Sequence, residues 1–122
     1  MAALTPEDLF QLHPKIRMGA MVDEKGEVYF LKMRPGVKSL APEEENRAFL
    51  QINPLVVFGA CERFSQWGGA VTSVTVRYEK VLMYLARLKG RFLMLTVEKD
   101  EALETIPEIA RSIESLIRKL AD

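Results

Sequence analysis

The sequence predicts a single α+β domain over residues 1–122: an α/β sandwich in the order α-β-β-α-β-β-β-α, with helices on a five-stranded antiparallel sheet. Three observations lead there. The links Asp23-Glu24-Lys25-Gly26, Glu79-Lys80 and Lys89-Gly90 are short and turn-like, and links so short join only antiparallel neighbours. A long apolar helical pattern, Pro42 to Phe64, stands between the first two strands and the last three. The last stretch, Glu101 to Leu120, repeats Ile106, Ile109, Ala110, Ile113, Leu116, Ile117 and Leu120 at three- and four-residue spacing, one clean stripe for covering a sheet.

In chain order, Leu4 to Leu12 reads as a short helix. Thr5 can cap it, Pro6 suits its first position, and Glu7 and Asp8 suit the positive end of its dipole. Pro14 stops it. His13, the single histidine, reads as a cation near the last carbonyls, because no companion histidine or cysteine supports a metal site. Ile16–Val22 and Glu27–Met33 read as a hairpin. Both of its faces carry apolar residues, which places it inside the sheet rather than at an edge. Arg34 to Ala41, with Pro35-Gly36, reads as a loop.

The helix Pro42–Phe64 has more apolar surface than one sheet can cover. At 100° per residue, Phe49, Val56, Val57, Ala60 and Phe64 fall in one broad sector. Leu50 and Cys61 widen it on one side, Ile52 and Leu55 on the other, and Phe58 stands nearly opposite Phe49. Gln51 and Glu62 are most of the polar remainder. One side suits the protein's own sheet and the other a second copy, with Leu55 to Phe64 the denser half. Glu43, Glu44 and Glu45 suit the helix start, and Pro54 predicts a kink. Cys61, the single cysteine, reads as a small buried apolar residue; its isolation fits a reducing compartment.

Three strands follow: Ala70–Tyr78, Val81–Leu88 and Arg91–Glu98. The first is rich in β-branched residues and the last is apolar on both faces, so the first and fifth strands are expected to meet in the middle. The last helix starts at Asp100 or at Thr105.

Composition and motifs exclude several functions. Seventeen basic and seventeen acidic residues cancel, against the basic surface that nucleic acid favours. No apolar run reaches membrane-span length, and MAALTPEDLF is unlike a signal peptide, so the expected location is cytoplasmic. There is no phosphate-binding loop or dinucleotide fingerprint, and Ser65 and Ser73 lack a histidine partner. The reading is therefore non-catalytic, with no cofactor and no metal. Arg77, Lys80, Arg87, Lys89 and Arg91 gather around two turns, either as a docking patch for an acidic partner or lipid headgroup, or as solvated strand ends. Trp67, beside Gly68-Gly69, is either an interface anchor or a cap on the core.

The element order, together with GAMVDEKGEV (Gly19 to Val28), RPGVKSL (Arg34 to Leu40), the Glu45–Gln51 stretch and VRYEKVLMY (Val76 to Tyr84), resembles the roadblock (dynein light-chain roadblock) family, whose relatives are the longin and profilin-like folds. More narrowly it resembles an archaeal branch of that family. The resemblance covers nearly the whole chain. It implies a strand order of 2-1-5-4-3 and homodimers in which the long helices pair and the third strands join the two sheets. It also implies a non-catalytic platform for a small GTPase or another signalling protein. Carried onto this chain, the dimer interface is expected at Leu50, Asn53, Val57, Cys61, Phe64, Val71 and Val74, and partner docking at Trp67, Arg77, Lys80 and Arg87. Pro54 departs from the family pattern. An alternative reading is a profilin-like sensory domain with a small ligand between sheet and helix, where the six methionines could line an adaptable pocket.

Overall fold

The structure, a computed structural model, describes residues 4–99 and 105–121. Its elements are α1 (Pro6–Phe10), β1 (Ile16–Asp23), β2 (Val28–Met33), α2 (Glu43–Glu62), α3 (Ser65–Gly68), β3 (Ser73–Arg77), β4 (Val81–Leu88), β5 (Arg91–Glu98) and α4 (Thr105–Ala121). The strands form one antiparallel sheet in the order β2-β1-β5-β4-β3, as the resemblance implies. β1 and β5 meet inside it. β2 lies at an edge, so only one strand of the first hairpin is internal; apolar residues on both its faces are met by helices rather than by a further strand. A helix start at Asp100 falls outside the described residues.

Local chemistry sets the boundaries. Thr5 and Asp8 exchange backbone–side-chain hydrogen bonds of 2.9 and 3.2 Å, which satisfy free donors at the start of α1. Lys89 and Gly90 both have positive φ, 21° and 73°, the handedness that matches the twist of a two-residue hairpin. At the β1–β2 turn, Asp23 Oδ1 accepts from the backbone N–H of Lys25 (2.8 Å) and of Glu27 (2.9 Å). The Glu27 bond leads in holding the Asp23 carboxyl below its ordinary range, and the Lys25 bond adds to it. A depressed carboxyl pKa supports the fold fully above the unfolded-state value and loses that support as pH falls through the lower folded value. Asp23 in the folded chain is therefore expected to titrate at lower pH than in the urea-unfolded chain, as followed by carboxyl NMR shifts. Coincident titrations would sink this account of the turn.

Helices cover both faces of the sheet, as its two apolar faces require. On one face Leu9 and Phe10 of α1 and Ile109 and Ile113 of α4 pack on Ile16, Leu82, Tyr84, Leu93, Leu95 and Val97. On the other, Leu50 and Phe58 of α2 pack on Met18, Ala20, Val22, Met83, Leu85, Phe92 and Met94. His13 does not cap carbonyls as expected. Its Nδ1 accepts from the Lys15 N–H (3.0 Å) and its Nε2 lies 3.3 Å from Glu108 Oε2, linking the loop after α1 to α4.

α1 approaches β1 over Gly19, where an added Cβ would sit 3.0 Å from Leu9 Cδ1 and 3.5 Å from Leu9 Cβ. Gly19→Val is expected to cost about 1–3 kcal/mol through this overpacking, read from the urea midpoint. An unchanged midpoint would show that α1 does not sit this close.

Candidate interaction surface

Three residues one helical turn apart, Leu50, Pro54 and Phe58, are buried and set the rotation of α2. Helical structure continues through Pro54, whose ring is buried on the sheet side. Phe58 stacks on Phe92 with centroids 5.0 Å apart. Above this pair lies the Arg87 guanidinium, 5.0 Å from the Phe58 centroid and 5.8 Å from that of Phe92, with Nη1 2.7 Å from Glu62 Oε1. Gln51 Nε2 donates to Gly26 O (3.0 Å) and ties the helix to the β1–β2 turn. The polar strip of α2 thus anchors it to its own sheet.

From Ala48 to Cys61, what α2 leaves in solvent is apolar apart from Gln51. Ile52 is 63% exposed and Val56 61%, with Phe49 and Leu55 also exposed. Ala48, Gly59 and Ala60 fill the spaces between them without adding a charge. This surface continues toward β3, which hydrogen-bonds only to β4 among the described residues. An edge strand with an unpaired backbone row is a template for another strand. Between α2 and β3, the half-buried Val57, Val71, Val74 and Val76 pack on the core. Nearby, the Oδ1 of half-buried Asn53 is buried and has no hydrogen-bond partner among the described residues.

A hollow lies at each end of this flank. Beside the first half of α2, Met18, Leu40, Phe49, Tyr78, Val81, Met83 and Met94 line about 390 Å³, with Glu45 and Asn46 on the helix side. At the far end, Ala60, Cys61, Arg63, Gly69 and Val71 line about 660 Å³ around Phe64 and Trp67. These two rings are 67% and 71% exposed and pack on each other, with centroids 5.8 Å apart.

The structure therefore redistributes the expected site. Leu50, expected at the interface, is fully buried in the protein's own core and withdrawn from any partner. Cys61, expected to be buried, is exposed, because the end of α2 runs beyond the sheet's cover. Asn53, Val57, Phe64, Val71 and Val74 all border the α2–β3 flank. Arg87 is not free for docking, since Glu62 and two aromatic rings engage it. Arg91 likewise lies over Tyr29, 4.1 Å from its centroid. Arg77 and Lys80 are exposed near the β3–β4 turn, about 20 Å along β4 from Arg87, so the basic residues do not form one patch. Trp67 does not cap the core. Leu55 and Val56 fall within the stretch Leu55 to Phe64 expected to dominate the interface, whereas Ile52 lies outside it, although the helical wheel already placed it beside the apolar sector.

Among the described residues no group of three histidines, cysteines or carboxylates stands together as a metal site, and no helix is long and apolar enough to cross a membrane. No family model matches the sequence, and no curated protein matches it. Solved structures do. The roadblock/LC7 domain from Streptomyces avermitilis superposes with a TM-score of 0.64 at 20% identity, over 96% of this chain and 95% of that one. The gliding protein MglB from Thermus thermophilus gives 0.66 at 15% identity, over 92% and 82%. MglC from Myxococcus xanthus gives 0.57 at 16% identity, over 93% and 91%. With the strand order β2-β1-β5-β4-β3 and α2 laid across one face, these superpositions show that the chain has the roadblock/LC7 fold.

Proposed function

We propose that this protein is a non-catalytic homodimeric interaction module whose paired surface serves a small GTPase or another signalling partner as regulator or scaffold. The observation that carries the dimer is the uncovered apolar face of α2, continuous with the open edge of β3. Burying it removes Ile52, Val56 and their neighbours from water at about 25 cal/mol per Å². Joining β3 to its copy would pair the free backbone row. Self-assembly also fits a similar protein, MglB, for which a tetrameric arrangement is known. The small-GTPase part rests on the roadblock likeness in sequence and fold. Sedimentation equilibrium over nanomolar to tens of micromolar chain tests the dimer: a two-fold mass is expected, and a monomer throughout would overturn it. Binding to small GTPases from neighbouring genes, loaded with GDP or GTP, tests the partner.

The methionine-lined hollow favours a second reading, a sensory domain that takes a small apolar ligand. Met18, Met83 and Met94 supply the adaptable wall such a ligand needs. Native mass spectrometry of freshly purified protein would show a retained ligand, and a bare chain mass would count against it.

A further inference from the structure

The hollow beside the first half of α2 and the aromatic pair at its far end fit together as two halves of one joint, an assignment that rests on the homodimer reading above. We infer that Phe64 and Trp67 of one copy seat in the methionine-lined hollow of the second copy, so that each hollow is completed only by its partner.

Three observations support this. The first is register. In a two-fold pair each contact occurs twice, with the same patch used on both sides. An antiparallel pairing of α2 with its axis between Val56 and Val57 centres on the exposed apolar stretch. α2 ends at Glu62, so Phe64 and Trp67, which follow it, are carried toward the first half of the partner's α2, where Asn46 and Phe49 line the hollow. The second is charge. Glu45 rims the hollow and Arg63 rims the aromatic end, so the antiparallel pairing opposes unlike charges and unlike helix dipoles. A parallel pairing would set the Glu43–Glu45 run against its own copy. The third is Asn53 on the same flank, whose Oδ1 finds no hydrogen-bond partner among the described residues.

The projection is also built for the task. A Cβ at Gly68 would lie 3.0 Å from the Phe64 ring, so glycine there lets Phe64 fold back beside Trp67. Tryptophan carries much of the binding energy at many interfaces. Methionines can reshape around an indole better than branched side chains can.

Trp67 is the single tryptophan, so its emission reports this contact directly. As dilution carries the full-length chain from dimer to monomer, with sedimentation run in parallel, the emission is expected to move to the red and acrylamide quenching to rise. Trp67→Ala is expected to weaken dimerisation by roughly thirtyfold. Wild-type chain mixed into an excess of Trp67→Phe chain should keep its blue-shifted emission. Mixed into an excess of Trp67→Phe/Tyr78→Asp chain, it should lose that emission at concentrations where dimers still form. Tyr78 is exposed at the rim, so this variant tests the hollow without disturbing the core. Dimers in which Trp67 stays water-exposed, or whose emission ignores Tyr78→Asp, would overturn the joint and leave the homodimer standing. A chain that never dimerises would remove both.

Discussion

Arg34→Met is expected to lower stability by about 3–4 kcal/mol, one of the largest losses available from a single residue outside the core. Arg34 begins a segment that contains Pro35-Gly36 and is otherwise loop-like, yet its half-buried guanidinium makes three hydrogen bonds. Nε donates to Ile16 O (2.6 Å), and Nη2 donates to Phe10 O and His13 O (both 2.7 Å). Phe10 and His13 lie at and just beyond the end of α1, where helical carbonyls lack intrahelical partners. The guanidinium also lies over the Phe10 ring, 5.2 Å from its centroid. One side chain thus ties α1 and the start of β1 to the segment after β2. Hydrogen bonds to a charged group contribute about 1.5–3 kcal/mol each, and partial access of water to the freed carbonyls reduces the sum. Methionine keeps the stem packed on Phe10 while removing every donor. Arg34→Lys keeps the charge but not the fork, and is expected to recover less than half of the loss. Urea unfolding with an unchanged m-value reads both variants. An Arg34→Met midpoint equal to wild type would show that these bonds merely decorate the loop.

Arg34 marks the boundary of what sequence pattern reveals. The stripe in α4, the Thr5 cap and the Lys89-Gly90 turn depend on residues a few positions apart, so periodicity and turn chemistry expose them. The alternation in β4 and β5 likewise sorts Leu82, Tyr84 and Ala86 from Met83 and Leu85 correctly between the two faces. Contacts between distant residues leave no such trace. Arg34 reaches back to Phe10, and Arg87 crosses to Glu62, so one looked like an ordinary loop residue and the other like a free docking charge.

The rotation of α2 was the least legible feature, for a physical reason. A helix with one apolar stripe has one stable orientation on a sheet, but α2 has apolar residues almost all round. Phe49 and Phe58 lie on nearly opposite sides, and sequence alone does not say which faces inward. Phe58 wins because Phe92 and Arg87 complete its surroundings, while Gln51 and Glu62 find partners only in that orientation. Leu50 goes inward with Phe58, which is why it left the expected interface.

That rotation makes Val56→Glu the second large effect. Val56 is 61% exposed in the chain and sits in the middle of the apolar face. A carboxylate there is solvated in a monomer, so the monomer's own stability should change by no more than about 0.5 kcal/mol. In the proposed dimer the two substituted residues face each other near the axis, where each would be desolvated without a partner and would repel the other. An uncompensated buried charge costs about 3–5 kcal/mol, which raises the dimer dissociation constant by about two to three and a half orders of magnitude. Sedimentation should therefore find a folded monomer at concentrations where the wild type is dimeric, with circular dichroism unchanged. Leu50→Glu, on the sheet-facing side, is expected to unfold the chain, because Leu50 is fully buried against the sheet. The contrast separates interface from core on a single helix. Were Val56→Glu to dimerise as tightly as wild type, the exposed face of α2 would not be the contact, and the open edge of β3 would have to carry self-association alone.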